Sequence, residues 1–302
     1  MQNTSSGRIS PVCTLCPRGC PVNRALGELG FCGCGSEIIV ARAAPHFGEE
    51  PCISGLDGSG TVFFSGCNLH CVFCQNREIS LERQGKAVSV SRLAEIFSEL
   101  ENEGVHNLNL VTASHFADKV VEALELAKPK IPVVWNSSGY ESIETLKMLE
   151  GHVQIYMPDL KYSSPQAAKR YSAAENYPAI AREAILEMFR QRGNFVMDEN
   201  GILQSGVLIR HLILPTRLDD AFDVIDWVGE AFPKNGVLFS LMSQFVPLGD
   251  SAKFPELSRP ISQDEYARAQ SYLSLSPIEN GFFQEPSSAT TELIPSFDLT
   301  GI

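Results

Sequence analysis

All nine cysteines of this 302-residue chain lie between Cys13 and Cys74. That crowding constrains the chain more than any other feature it has. Small secreted domains held by disulfides tend to carry even numbers of cysteines in short chains. Inert core thiols are scattered through apolar runs. Nine thiols set among glycines in the first quarter of the chain point instead to metal ligation in a reducing compartment. Two groups separate by spacing. Cys13, Cys16 and Cys20 form a C-x2-C-x3-C run, with Cys32, Cys34 and Cys52 beyond it, and Cys67, Cys71 and Cys74 form a C-x3-C-x2-C run. No cysteine follows Cys74. Three thiolates on one short loop can hold three irons of a [4Fe–4S] cluster and leave the fourth iron open to a substrate. Electron carriers close the cluster with four cysteines, a role for which Cys52 is the available candidate. An open iron favours catalysis over electron carriage. In the first group Cys13, Cys16, Cys20 and Cys32, or Cys34 in place of Cys32, suit either tetrahedral zinc or a second iron–sulfur cluster. We read them as a structural knuckle, with His46 as a further candidate ligand.

The rest of the chain decides what carries these sites. Apolar residues make up 44% of it, enough for a sizeable core. Its 24 basic against 36 acidic residues give a net charge of −12, which argues against general binding to nucleic acid or anionic membranes. The start shows no apolar h-region, and no run approaches the roughly 20 apolar residues of a membrane span. The expectation is a soluble, cytoplasmic protein.

Beyond the cysteines, strand and helix signals alternate. Strands are predicted at 61–64, 107–112, 132–136, 153–160, 207–214 and 237–242. Helices are predicted between them, the first capped by Ser91 and the last opened by the capping box Ser262 with Glu265. Asn200-Gly201 marks a hairpin. Six such units imply an α/β fold with a parallel sheet, of the kind a partial (β/α)6 barrel supplies. The organisation read from this pattern is a cysteine-rich segment over 1–55, the barrel over 56–275, and a tail over 276–302 that docks on the barrel. In such barrels the site lies at the C-terminal strand ends. Alternation puts Asp159 and Lys161 on one face there, with Asn136 and Ser138 on the preceding strand and Arg210 inside an otherwise apolar strand. A charge in that position calls for a ligand or a partner.

The stretch Gly66-Cys67-Asn68-Leu69-His70-Cys71-Val72-Phe73-Cys74-Gln75-Asn76 resembles the cluster loop of the radical S-adenosylmethionine (SAM) superfamily. Asn136-Ser137-Ser138-Gly139-Tyr140, Pro158-Asp159-Leu160-Lys161, Ile209-Arg210-His211 and Leu241-Met242-Ser243-Gln244-Phe245 are similar to its pyruvate formate-lyase activating enzyme-like branch with an N-terminal C-x2-C-x3-C segment. The resemblance implies a partial barrel of radical SAM type. It also implies a [4Fe–4S] cluster on Cys67, Cys71 and Cys74, whose open iron chelates SAM and whose reduction yields a 5′-deoxyadenosyl radical for hydrogen abstraction. Phe73 is then expected at the adenine, and Asp159, Lys161 and Arg210 at SAM. The branch's Gly-Gly-Glu-Pro segment is replaced by Val111-Thr112-Ala113-Ser114-His115, so Thr112 and Ser114 are the expected acceptors for the SAM ammonium. The expected substrate is a glycyl or similar C–H site of a protein or peptide; the alternatives are a small-molecule substrate or a non-catalytic iron–sulfur electron carrier. Flavodoxin or ferredoxin is the expected reductant, steered by a basic dock drawn from Arg18, Arg24, Arg77 and Arg83.

Overall fold

Runs rich in Val, Ile and Phe bounded by turn residues form strands, and amphipathic stretches between them form helices. The computed structural model describes residues 12–285 and 294–302. Its first half runs β1 (Ile38–His46), α1 (Pro51–Ser54), β2 (Ser59–Phe64), α2 (Arg77–Ser80), β3 (Lys86–Val88), α3 (Val90–Asn102), β4 (Leu108–Val111), α4 (Ala117–Ala127), β5 (Val133–Ser137) and α5 (Ile143–Leu149). Then come β6 (Ile155–Pro158), α6 (Pro165–Ser172), α7 (Tyr177–Arg192), β7 (Val196–Met197), β8 (Leu203–Leu212), α8 (Leu218–Ala231), β9 (Leu238–Met242), α9 (Gln263–Leu275) and β10 (Gly281–Phe283).

Strands β2, β4, β5, β6, β8, β9 and β10 lie side by side in parallel pairs. β1 runs antiparallel against β2, and β3 antiparallel against β1. β7 folds back on β8 at the expected hairpin, where Gly201 takes a left-handed φ of 77°. The fold is therefore the expected α/β class, a largely parallel sheet with helices between successive strands. Three local expectations shift. α3 is capped by Ser89, whose side chain accepts from the Arg92 N–H, rather than by Ser91, because Val90 already packs against the core. Residues 38–54 of the cysteine-rich segment contribute β1 and α1 to the sheet and its interior. The tail supplies β10, and its last residues bind β1: the Ala43 N–H donates to Thr300 O at 2.9 Å, the Leu299 N–H to Ala41 O at 3.1 Å, and Arg42 pairs with Asp298 at 2.8 Å. The chain start, where no h-region was expected, lies outside the described residues, as does 286–293 of the tail. Among the described residues no helix is long and apolar enough to cross a membrane.

Strand alternation sorts the side chains into two layers. Outward, Trp135, Tyr156, Ile209 and Phe239 pack under the helices. Inward, Val134, Ile155, Met157, Leu208 and Leu238 form a plug completed by Cys52 and Ile53 of α1. Each such buried aliphatic side chain contributes about 1.5–3 kcal/mol. Two residues further along the same faces the composition turns polar, with Asn136 on β5, Asp159 after β6, Arg210 on β8 and Ser240 on β9. This polar layer is the floor of the site.

Candidate functional site

Beyond the floor, at the C-terminal ends of the parallel strands, lies a cavity of about 220 Å³. Cys67, Cys71, Cys74, Phe73, Thr112, Asn136, Ser138, Asp159, Lys161 and Arg210 all line it. Ser114 does not. The chain leaves β4 through a turn in which Thr112 takes a φ of 61° and enters a 3-10 helix at Ser114. Alternation therefore stops there, and the Ser114 hydroxyl turns into the core to donate to Glu141. The expected ammonium acceptor is thus Thr112 alone. A β-branched residue at positive φ carries real strain, of the kind that surrounding structure must hold in place.

The cysteine loop follows β2 and is held from several sides. The Val72 N–H donates to Tyr171 O at 2.9 Å, and the Asp250 N–H to Val72 O at 2.7 Å. Asn68 donates to Tyr140 O at 2.8 Å from a buried position. Each sulfur has a polar neighbour: the Leu69 N–H at 3.4 Å from Cys67, the Ser172 hydroxyl at 2.9 Å from Cys71 and the Ser80 hydroxyl at 3.3 Å from Cys74. Burial pushes the thiols of Cys67 and Cys71 up, with the Lys161 charge opposing it at both. Metal coordination relieves that cost because a bound thiol gives up its proton. Among the described residues no three Cys, His, Asp or Glu side chains converge on the single point one ion needs. A cluster bound through three separate irons asks instead for thiols spread along a loop, and Cys67, Cys71 and Cys74 supply them. Asn76 offers the same cavity a buried Oδ1 with no partner among the described residues, an acceptor that suits a polar ligand. Cys52 sits in the apolar plug and is not among the cavity residues, so it is not placed as a fourth ligand.

In the floor, Arg210 donates from Nε to Asp159 Oδ1 at 3.0 Å and from Nη2 to Asn136 Oδ1 at 2.8 Å. Its Nη1 reaches Glu49 Oε2 at 3.0 Å. Lys161 bonds the other Asp159 oxygen. Burial alone would push Asp159 up, but Lys161 and Arg210 overcome it and hold the carboxyl below its usual range. Burial opposes the Lys161 charge, and Asp159 more than restores it. Glu49 and its neighbour Glu50, whose Oε1 accepts from the buried Ser240 at 2.9 Å, were not anticipated. The available signal was two adjacent carboxylates before Pro51, the first residue of α1, in a segment read only for its cysteines.

At the N-terminal knuckle, the Cys13 N–H donates to Cys20 O at 2.9 Å, and a Cβ on Gly30 would lie 3.4 Å and 3.8 Å from the sulfurs of Cys20 and Cys32. Among the described residues no three metal-ligating side chains converge there on one point. Cys32 is engaged by the neighbouring Cys34 thiol, which holds Cys32 down to about 6. The knuckle instead buttresses the cysteine loop. Arg18 donates to Asn68 O at 2.8 Å and to Ala173 O at 2.7 Å, and stacks on Phe31, which stacks in turn on His70 at 4.0 Å. Arg24 donates to His115 O and Gly35 O, Arg83 to Gly33 O, and Arg77 pairs with Asp250. The four arginines from which a reductant dock was expected each make an intramolecular contact. His46 ends β1 and lies against Phe63, away from the knuckle.

Comparisons with known proteins follow the geometry. A protein of Methanocaldococcus jannaschii, MJ0674, itself uncharacterised, is 28% identical over 268 residues, covering 85% of this chain and 72% of the relative. The solved structure of SuiB from Streptococcus suis bound to S-adenosylmethionine is 13% identical with a TM-score of 0.48, covering 76% of this chain and 51% of SuiB. A domain of pyruvate-formate lyase-activating enzyme from Bacteroides vulgatus is 10% identical with a TM-score of 0.36, covering 65% of this chain and 91% of that domain. This chain spans about half the length of SuiB, and at these TM-scores the structural likenesses carry no argument. The family model for the radical SAM superfamily matches residues 61–233, which include the cysteine loop and the floor residues Asn136, Asp159, Lys161 and Arg210. The chain belongs to the radical SAM superfamily.

Proposed function

We propose that the cavity binds SAM against a [4Fe–4S] cluster carried by Cys67, Cys71 and Cys74, and that the substrate is a protein or peptide segment presenting an uncharged C–H site. The observation supporting this is one cavity that joins those three thiols to Asp159, Lys161, Arg210, Asn136, Ser138, Thr112 and Phe73. When bound, the cluster supplies an electron and an open iron, the requirements for reductive cleavage of SAM into methionine and a 5′-deoxyadenosyl radical. The chain's own residues do the rest. Asp159, Lys161 and Arg210 offer fixed charges to the amino-acid end of SAM, and Thr112 offers a neutral hydroxyl to its ammonium. Phe73, edge-on to Phe245 at 5.8 Å, offers a ring to the adenine. Ser172 and Ser80 orient the sulfurs of Cys71 and Cys74.

The upper wall supports an uncharged substrate. Leu212, Met242, Phe245, Val246, Leu248 and Ile294 line it with the neutral Gln244, while the charged groups are confined to the floor and paired. The N-terminal cysteines fit, in this reading, a structural metal knuckle, zinc or iron–sulfur, that steadies the loop through Arg18. Reduction needs an external one-electron donor of the flavodoxin or ferredoxin class. The test is 5′-deoxyadenosine formation from SAM by anaerobically reconstituted protein with dithionite. Wild type should form it and Cys71→Ala should not. Iron-replete wild type that leaves SAM intact would sink the proposal.

A further inference from the structure

The polar floor contains two cations, Lys161 and Arg210, and the strands that meet there offer them a single carboxylate, Asp159. The second carboxylate comes from outside the barrel strands. Glu49, in the link between β1 and α1, is carried into the interior because α1 seats Cys52 and Ile53 in the apolar plug directly beneath. There Glu49 Oε2 accepts from Arg210 Nη1 at 3.0 Å, while Oε1 accepts from Asn136 Nδ2 at 3.0 Å and Asn109 Nδ2 at 3.1 Å. The side chains of Glu49 and Arg210 are only 11% and 14% exposed. The remaining carboxyl of the layer, Glu50, accepts from Ser240 at 2.9 Å, and burial pushes it up despite the Arg210 charge.

We infer that Glu49 is a positioning residue for SAM, in two senses. It holds the Arg210 guanidinium from below, and its charge offsets one of the two floor cations. SAM carries a positive sulfonium, and a buried pair of charges a few ångströms apart interacts strongly in a low-dielectric site. Removing the Glu49 charge makes the floor more positive by one unit, which disfavours that sulfonium. The inference rests on the proposal that the cavity binds SAM, and it adds a residue from the N-terminal segment, outside the 61–233 span that defines the family match.

The test compares SAM with S-adenosylhomocysteine, which keeps the adenosine, amine and carboxylate but has a neutral thioether in place of the sulfonium. Binding of each to anaerobically reconstituted holoprotein is measured for wild type, Glu49→Gln and Arg210→Gln. In Glu49→Gln the dissociation constant for SAM should rise about tenfold and that for S-adenosylhomocysteine markedly less, with iron content retained. Arg210→Gln, which makes the floor more negative by one unit, should not lower the preference for SAM over the thioether, and this arm decides the matter if the Glu49→Gln protein loses iron. A merely structural Glu49 would weaken both ligands alike or neither. That outcome, or a fall in the SAM preference in Arg210→Gln, overturns the inference. Wild type that binds neither ligand overturns instead the proposed SAM site on which the inference rests.

Discussion

Single residues of the cysteine loop operate under tight steric limits. Gly66 has a φ of 86°, and a Cβ there would collide with the Cys34 sulfur and lie 2.8 Å from Cys32 O. Gly66→Ala should therefore destabilise the protein by more than about 2 kcal/mol and lower the iron bound per chain. Denaturant melts and iron analysis read the two effects. Glu141 is buried beside Ser114, and burial pushes its carboxyl from 4.5 up to about 7. A carboxyl raised on folding stabilises the protein at low pH, fully below its unfolded value. That contribution is lost as pH rises through the folded value. Wild type should thus lose up to about 3 kcal/mol relative to Glu141→Gln between pH 5 and 8. Melting both proteins across that window checks it, and parallel profiles would contradict it. At this scale the sequence announced the three loop cysteines by spacing, and Asp159, Lys161 and Arg210 by charge within apolar strands. Ser114, named only from the stretch that replaces Gly-Gly-Glu-Pro, turns into the core because the chain leaves β4 for a 3-10 helix there. The sequence was silent on Glu49, because a carboxylate in a link looks like any solvated side chain until the helix after it is known to be a plug.

Elements were easier to read than their edges. Six of the seven parallel strands were recognisable because β-branched and aromatic runs stand between turn residues, and α9 because its capping box is local chemistry. That box is present in full, Ser262 accepting from the Glu265 N–H and Glu265 answering at the Ser262 N–H. Ser262→Ala should cost about 1 kcal/mol, measured by urea unfolding. β1 and β10 escaped for a different reason: each lies in a segment first read as something else, β1 among the cysteines and β10 in the tail. The plug helix α1 has only four residues, too few for periodicity to show. Its role predicts a large effect for its size. Ile53 is fully buried among Val134, Ile155 and Leu208, and Ile53→Ala should cost about 2–5 kcal/mol. It should also weaken SAM binding through Glu49, which binding measurements on the reconstituted holoprotein would show.

At the scale of the whole molecule, both chain ends converge on the same task. The N-terminal knuckle grips the cysteine loop through Arg18 and Phe31, and the C-terminal residues bind β1, the strand that delivers Glu49. The barrel strands supply the floor, but the loop and the charge balance depend on segments outside them. The account's central claim is that three thiols on one loop leave an iron open to SAM. Electron paramagnetic resonance of the anaerobically reduced protein tests it most directly, with and without SAM, on wild type and on a Cys67→Ala/Cys71→Ala/Cys74→Ala variant. The account predicts a reduced-cluster signal that SAM perturbs in wild type and that the variant lacks. A wild-type signal indifferent to SAM would contradict it and point to an iron–sulfur protein that only carries electrons.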